Sequence, residues 1–260
     1  MGLFNKFKKK KPEKKTMTSV SFVLLEKAEV DFKQLAQGLF DDWNISIDEQ
    51  EIEKDAIVTQ VDEMMVAVSF INAPIPNGEA VEASKTNRLW PEAVEVAEKH
   101  VAQLLVAILP GEGKSLLDVA NLYVKICSSC LKLPYATGIN TLGTVLEPSF
   151  YIDAAVESIA KGEFPIFNLV FFGIYTNDEK TWSAYTYGLE DLGKQELEVI
   201  DSLESGDTVL NMLSNITAYI MDSDVTLKHG ETVGYTPQQK LTITESKGVA
   251  VAGKSLKIGF

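Results

Sequence analysis

Residues 56–71 read Ala-Ile-Val-Thr-Gln-Val-Asp-Glu-Met-Met-Val-Ala-Val-Ser-Phe-Ile, and they decide the fold of the first part of the chain. Two β-rich runs, 56–61 and 64–71, flank the polar pair Asp62-Glu63. Apolar runs of this length that are separated by two turn-forming residues predict two strands joined by a tight turn. We therefore expect an antiparallel hairpin here.

The segments on either side of this hairpin predict a further alternation of strand and helix. Residues 18–26 are short and β-rich, and Asp31 precedes apolar residues at helical spacing, so it is predicted to cap a helix. A second helix is predicted to start at Trp90-Pro91, and the apolar run 101–109 predicts a strand that is covered on both faces. The order strand, helix, strand, strand, helix, strand is that of a ferredoxin-like split βαβ unit.

The second half of the chain predicts longer helices and an antiparallel meander. Helices are predicted from Ser115 to about 133, at about 148–161, and from Asp207 to about 221. Strands are predicted at 135–140, 166–176, 181–189, 195–201, 225–228, 240–245 and 255–259. The predicted fold class is therefore α+β. The predicted organisation is a disordered lysine-rich tail at 1–17, a ferredoxin-like lobe at 18–110, and a second α+β lobe with the meander at 111–260.

Charge is distributed unevenly along the 260 residues. The net charge is −13, but residues 1–17 carry seven lysines and one acid, which makes +6, and the rest of the chain makes −19. An acidic body repels phosphate backbones, so duplex nucleic acid is not expected as its partner. The apolar fraction of 45% and charged fraction of 23% are those of a globular protein. Two cysteines and no apolar run of membrane-spanning length favour a cytoplasmic location.

The lysine-rich tail suggests a weak contact with an anionic membrane surface. The lysines that would make this contact are Lys6, Lys8, Lys9, Lys10 and Lys11. The tail also carries three apolar side chains, which are too few to anchor it firmly in a membrane. The alternative is a solvated leader, since runs of like charge are usually disordered.

Two short motifs are similar to known phosphate-binding and thiol motifs, but each lacks a feature that the chemistry needs. Residues 111–115, Gly-Glu-Gly-Lys-Ser, end like a phosphate-binding loop, but Ile108 stands where that loop needs its first glycine. A turn with Ser115 as helix cap is therefore expected. Cys127 and Cys130 form a C-x-x-C inside a predicted helix, and two buried hydrophobic thiols are expected there. No metal or cofactor is predicted.

His100, Glu196 and Glu198 are the candidate catalytic residues. His100 ends a predicted helix, where a cation suits the helix dipole, and it is also a candidate general base. Glu196 and Glu198 share one face of a predicted strand, about 7 Å apart by strand rise. Paired carboxylates can serve acid–base chemistry, but the same alternation is typical of a solvated strand face.

Aromatic residues crowd the predicted meander. Most of them should form cross-strand core pairs. Trp182, Tyr185 and Tyr187 are the candidate binding residues, because rings that stay exposed there would offer a surface to a partner.

Several of these features occur together in one family. The first set is Pro74-Ile75-Pro76, Trp90 and His100; the second is Tyr185-Thr186-Tyr187-Gly188-Leu189 with Gly193 and Glu196-Leu197-Glu198; the third is Gly230-Glu231-Thr232-Val233-Gly234. Together they resemble the bacterial family of domain of unknown function 4261, over about residues 18 to 245. The resemblance implies a soluble bacterial α+β protein and assigns no activity, cofactor or catalytic residue.

The sequence supports three functional hypotheses. The first is a non-catalytic protein-binding or regulatory module with an acidic surface, immunity-like in the sense that it would neutralise a basic partner. The second is an enzyme whose site assembles from His100, Glu196 and Glu198. The third is a peripheral membrane protein tethered by its basic tail. The acidic body and the lack of an assembled catalytic motif favour the first.

Overall fold

The computed structural model describes residues 19–178, 180–234 and 239–260. Its strands are β1 (Ser19–Leu25), β2 (Ala56–Val61), β3 (Met64–Ile71), β4 (Ala102–Leu109), β5 (Ala136–Thr141), β6 (Thr144–Leu146), β7 (Phe171–Tyr175), β8 (Trp182–Tyr187), β9 (Leu197–Ser202), β10 (Thr232–Val233), β11 (Leu241–Lys247) and β12 (Lys254–Ile258). Its helices are α1 (Phe32–Trp43), α2 (Glu79–Ser84), α3 (Ala93–Lys99), α4 (Leu116–Leu131), α5 (Pro148–Lys161), α6 (Ile166–Leu169) and α7 (Gly206–Asp222). The described part is therefore α+β, which confirms the predicted fold class.

The first sheet has the strand order β2-β3-β4-β1-β5-β6. The hairpin β2–β3 has the predicted bounds, and β3, β4 and β1 follow in antiparallel pairings. A split βαβ unit would instead place β1 and β2 parallel with one strand between them. Here two strands separate them, and the three antiparallel pairings make them antiparallel. The ferredoxin-like description of this lobe is therefore not confirmed.

The first sheet continues past residue 110. β5 pairs with the free side of β1, and the short strand β6 pairs with β5. Strand β6 at 144–146 is not predicted from the sequence. These two strands bring the segment after α4 back to the first sheet, so the first sheet draws on residues 19–146.

The second sheet has the order β10-β11-β12-β9-β8-β7. The predicted meander is present as β7, β8 and β9, whereas β12 pairs with β9 in parallel. Residues 166–169 are the short helix α6 rather than part of a strand. Ser205, not Asp207, caps α7 through its side chain, and residues 225–228 form no strand.

One hydrophobic core joins the two sheets. It contains residues of β1 to β5 with α1 and α4, and residues of β8, β9, β11 and β12 with α7. Helix α5 packs on α4, and α6 lies between α5 and α7. A second, smaller cluster holds α2 and α3 against Leu24 of β1 and Val145 of β6. Helices α5 and α7 therefore flank α6, and residues of all three line a surface groove.

The structure confirms the two helix caps that were predicted from neighbouring residues, Asp31 for α1 and Ser115 for α4. Asp31 accepts hydrogen bonds from the backbone N–H groups of Lys33 and Gln34 at 2.9 and 3.1 Å. Ser115 and Asp118 form a reciprocal capping box at the start of α4. Each cap satisfies backbone donors that the first turn of a helix leaves unpaired.

The lysine-rich tail, including Lys6, Lys8, Lys9, Lys10 and Lys11, lies outside the described residues. Among the described helices, none combines the length and the apolar character that a bilayer crossing requires.

Candidate functional site

Glu198 lies in the centre of the second sheet, and its carboxylate is completely buried. It accepts hydrogen bonds from the backbone N–H groups of Val249 and Ala250 at 3.0 and 2.6 Å, and from the Ser255 hydroxyl. The Lys257 ammonium group donates to the same carboxylate at 2.5 Å. These contacts fasten the loop between β11 and β12, and β12 itself, onto β9.

Glu196 precedes β9 and is also buried, with 5% of its surface exposed. Its carboxylate accepts hydrogen bonds from the Thr186 hydroxyl at 2.6 Å, from the Gly188 N–H at 2.8 Å and from the Glu190 N–H at 3.2 Å. Gly188 has φ +110, and a Cβ there would lie 2.9 Å from the carbonyl oxygen of Leu169. The Tyr-Thr-x-Gly-Leu stretch is thus the end of β8 followed by a tight turn that starts at Gly188, and Glu196 holds this turn in place.

The two glutamates have opposite pKa shifts. Burial raises the pKa of Glu196, and the hydrogen bonds that it accepts only partly offset that effect. Burial also acts to raise the pKa of Glu198, but hydrogen bonds from Lys257, Ser255 and Ala250 outweigh it and hold that pKa below its ordinary value. The prediction of a solvated strand face at Glu196 and Glu198 is wrong, because tertiary partners enclose both carboxylates.

His100 is buried at the end of α3, where it ties two segments together. Its Nε2 accepts a hydrogen bond from the Ile75 N–H at 2.8 Å, and its Nδ1 lies 2.5 Å from the carbonyl oxygen of Ala97. A neutral imidazole protonated on Nδ1 satisfies both contacts. His100 therefore fixes the Pro74-Ile75-Pro76 loop against α3.

The structure places the three candidate catalytic residues apart. His100 precedes the first sheet's β4, whereas Glu198 lies in β9 of the second sheet and Glu196 immediately precedes that strand. Among the described residues, the hydrogen bonds of the three side chains share no partner group. Each side chain instead has its own set of structural partners.

The three candidate binding aromatics also occupy separate places. Trp182 is 37% exposed and lies against Gly206 at the start of α7. The ring of Tyr185 covers Gly173 and meets Phe171 edge-on, with 6.2 Å between centroids. Tyr187 is 49% exposed and lies beside Gly143 in the turn between β5 and β6.

The two remaining motifs are structural. Cys127 and Cys130 are fully buried in α4, and burial raises the pKa of the Cys127 thiol to about 12. In the 111–115 turn, Lys114 lies 3.5 Å from Glu63, and a Cβ on Gly111 would collide with the Glu63 carbonyl. No cluster of three or more His, Cys, Asp or Glu side chains suited to a metal ion occurs in the described part of the chain.

The surface feature that the sequence analysis missed is a groove between α5 and α7, with α6 as its floor. We call it the α5–α7 groove. Its first part encloses about 290 Å³ and is apolar; the side chains that line it are mainly Leu89, Trp90, Phe150, Phe167, Phe171, Phe172 and Leu210. Leu89 is 66% exposed, and Phe150 and Phe167 are each 45% exposed and meet edge-on at 6.4 Å. Large apolar side chains are therefore presented to solvent in one place.

The rim of this apolar part is held rigidly by Asn87. The Asn87 amide donates to the carbonyl oxygen of Val145 at 2.9 Å and accepts from the N–H groups of Leu89 and Trp90 at 3.1 and 3.2 Å. Arg88, the only arginine in the sequence, is exposed between two residues that line the groove. Burial raises the pKa of Tyr185, and the positive charge of Arg88 offsets part of that increase.

The groove continues into a second part that is acidic. This part encloses about 420 Å³ and shares Phe150, Phe167 and Ser214 with the first. Its acidic side chains are Asp153, Glu157, Glu163 and Asp222, and its one lysine, Lys161, is paired with Glu157 at 2.5 Å. One wall of the groove thus changes from aromatic to negatively charged along its length.

A larger cleft elsewhere has a different character. It encloses about 650 Å³ beside α1 and is lined by charges of both signs, including Glu29, Asp31, Lys33, Glu53 and Lys54. Because charges of both signs line this cleft, it favours neither a positively nor a negatively charged partner. Phe32, which also lines it, is buried and offers little apolar surface. The α5–α7 groove is therefore the stronger candidate for binding.

Comparison with known proteins gives one match. The family profile described as "Domain of unknown function (DUF4261)" matches residues 185–259. This confirms the family resemblance for that stretch, which contains Glu196, Glu198, the Gly188 turn and the α7 wall of the groove. The search among curated proteins found no match. The search among solved structures found none either.

Proposed function

We propose that this protein is a non-catalytic binding or regulatory module, immunity-like in character, and that its α5–α7 groove receives a basic segment of a partner protein. A bacterial cytoplasmic setting is part of the proposal. The observation that carries it is the continuity of the groove: exposed aromatic side chains at one end pass directly into a cluster of carboxylates at the other.

The chemistry of the groove specifies the partner segment. The apolar end accommodates large apolar side chains, since Phe150 and Phe167 already lie exposed there. The acidic end attracts lysine and arginine, because Asp153, Glu163 and Asp222 are exposed and no described cation pairs with them within 4 Å. An amphipathic segment with apolar anchors and a basic end satisfies both parts.

Charge and rigidity favour such binding in two ways. The acidic body attracts cationic partners at long range and speeds their encounter, an effect that salt weakens. The Asn87 hydrogen bonds hold the aromatic rim in place before binding, which reduces the entropy cost of ordering it. Arg88 at the opposite end from Asp222 gives the groove a charge gradient, so the segment binds in one direction.

The two other hypotheses draw less support. An enzyme site would need His100 to meet Glu196 or Glu198, and the three side chains are engaged with separate partners. A membrane tether would act through the tail, where Lys6, Lys8, Lys9, Lys10 and Lys11 lie outside the described residues.

The experiment uses a labelled peptide of defined chemistry. Helix α5 has 14 residues and is about 21 Å long, so a 14-residue amphipathic peptide of leucine and lysine matches the groove. Fluorescence anisotropy measures its binding to the full chain. The same peptide with glutamate in place of lysine serves as the probe of charge. We expect only the lysine peptide to bind, with an affinity that falls as salt increases.

Matched variants locate the binding site. The double variant Asp153→Lys/Glu163→Lys should lower the affinity at least about tenfold, or about 1.4 kcal/mol. Phe167→Ser should lower it as well, because it removes an exposed anchor. The control variant Glu53→Lys/Asp55→Lys changes the net charge by the same amount. Its two positions precede β2 of the first sheet and do not line the groove. Equal losses in the two double variants, or no binding of the lysine peptide, would overturn the proposal.

A further inference from the structure

The lysine-rich tail has the chemistry that the α5–α7 groove accepts. Residues 1–17 carry three large apolar side chains, Leu3, Phe4 and Phe7, and then four consecutive lysines at 8–11. With seven lysines against one acid their formal charge is +6, whereas the rest of the chain carries −19. Apolar anchors followed by a basic run are the two features that the groove requires of a partner segment. The chain therefore contains such a segment itself.

The groove offers matching features in the same order. Its apolar part presents Phe150 and Phe167, each 45% exposed. Its acidic part presents the exposed side chains of Asp153, Glu163 and Asp222, none of which forms an ion pair with a cation in the described part of the chain. When the anchors of the tail cover the two phenylalanine rings, the four lysines that follow lie beside these carboxylates. Both matches are thus satisfied in one orientation.

The tail joins the described part of the chain close to the groove. Val20, the second residue of β1, lines a pocket of about 200 Å³ together with Leu169 of α6, so β1 begins beside α6. Phe167 of the same short helix lines the groove. The seven residues 12–18 connect the last of the four lysines to β1 and extend up to about 24 Å. Because the groove runs about 21 Å along the 14 residues of α5, the lysines reach its acidic part within one molecule.

We propose that the lysine-rich tail occupies the α5–α7 groove of its own chain, with Phe4 and Phe7 in the apolar part and the lysines at 8–11 beside the carboxylates of the acidic part. The tail then competes with any basic partner segment, which must displace it to bind. This inference rests on the proposed function, because it assigns the groove the same ligand chemistry and adds the regulation of that site.

The short connection to β1 sets the strength of the competition. A segment held by a few residues has an effective concentration on the order of 1 mM at its site. Two aromatic anchors and four lysines form a small contact, for which we expect a dissociation constant of about 100 μM in the detached segment. The groove is then about 90% occupied, and an added peptide binds about tenfold more weakly than it would to an open groove. A partner of higher affinity still displaces the tail.

Fluorescence anisotropy with the leucine–lysine peptide measures this competition in the full chain. The variant Phe4→Ser/Phe7→Ser removes both anchors without changing the net charge. We expect it to bind the peptide about tenfold more tightly than the wild-type chain does. The matched control Asn5→Ser/Thr16→Ser changes two polar positions of the same tail and should bind the peptide like the wild-type chain.

A disulfide cross-link tests where the tail lies. Asn5→Cys places a thiol between the anchors, and Asn211→Cys places one at an exposed position of α7 that lines the apolar part. Oxidation with diamide should link these two thiols within one chain. The native Cys127 and Cys130 are buried and should not react. The control pairs Asn5→Cys with Thr244→Cys, at an exposed position of β11, and should give little cross-link.

The results separate this inference from the proposed function. Equal peptide affinity of the wild-type chain and the anchor variant would overturn the inference and leave the proposed function standing. Equal cross-linking at the two cysteine positions would also overturn it, as would a cross-link between two chains, which would place the tail of another copy in the groove. Failure of both chains to bind the peptide would overturn the proposed function and the inference with it.

Discussion

Replacing Glu198 by glutamine should destabilise the protein strongly, although the two side chains have nearly the same shape. The carboxylate accepts hydrogen bonds from Val249, Ala250, Ser255 and Lys257. A glutamine keeps one acceptor oxygen and turns an NH₂ group toward the remaining donors. It also leaves the Lys257 ammonium group, whose side chain is only 17% exposed, without its counter-ion. Breaking a buried ion pair on one side costs about 3–5 kcal/mol.

Urea unfolding followed by tryptophan fluorescence measures this loss, which corresponds to a lower melting temperature by about 10 °C. Amide exchange should also rise at Val249 and Ala250, since their acceptor is lost. The double variant Glu198→Gln/Lys257→Met should be more stable than Glu198→Gln alone, because no ammonium group then remains buried without a counter-ion. A loss below about 1 kcal/mol, or no gain from the second substitution, would refute this account of the cluster.

The same carboxylate predicts a pH dependence with a definite sign. Because the fold lowers the pKa of Glu198 below its ordinary value of 4.5, the unfolded chain binds the proton more readily. Its contribution to stability is therefore complete above pH 4.5 and is lost as the pH falls through the lower folded pKa. In Glu198→Gln this acid-induced loss should be smaller than in the wild-type chain.

Three further results are expected. Glu196→Gln should act in the opposite pH range: burial raises the folded pKa of Glu196, so wild-type stability falls as the pH rises from 4.5 through that pKa, and the variant should remove this fall in urea titrations. His100→Ala should cost about 2–4 kcal/mol in thermal unfolding, because the buried Ile75 N–H loses its acceptor and a cavity forms. Cys127 and Cys130 should not react with a thiol reagent at pH 8 until urea unfolds the protein, and rapid labelling of the native chain would contradict their burial.

Local features of the fold were predictable from the sequence. The hairpin at 56–71 needs only two apolar runs and a short polar turn, and its strands have the predicted bounds. The caps at Asp31 and Ser115 likewise depend on residues within one helical turn. The order of strands in the sheet depends on contacts distant in sequence. The β4 strand therefore lies between β1 and β3, an arrangement that the predicted ferredoxin-like unit does not have.

The two glutamates show a second limit of pattern analysis. Alternation along β9 correctly indicates a strand, but it cannot show whether the polar side faces water. Burial of Glu198 depends on Lys257 and on the loop at 249–250, more than 50 residues later in the sequence. Only the assembled sheet brings these donors to the carboxylate.

The α5–α7 groove was missed because one of its residues was placed in the wrong element. Phe167 was predicted in a strand, where it would join the core, but it lies in the short helix α6 and is exposed. A signal was present in α5: Phe150, Asp153 and Glu157 recur at helical spacing on the side away from the buried Tyr151.

Amide hydrogen exchange of the full chain with and without the leucine–lysine peptide is the most direct test of the binding groove. We predict that the peptide slows exchange in segments 148–170 and 206–222 and leaves the first sheet's β2–β3 hairpin unchanged. Slowed exchange spread evenly over all acidic surfaces, or confined to segments outside the groove, would contradict the account.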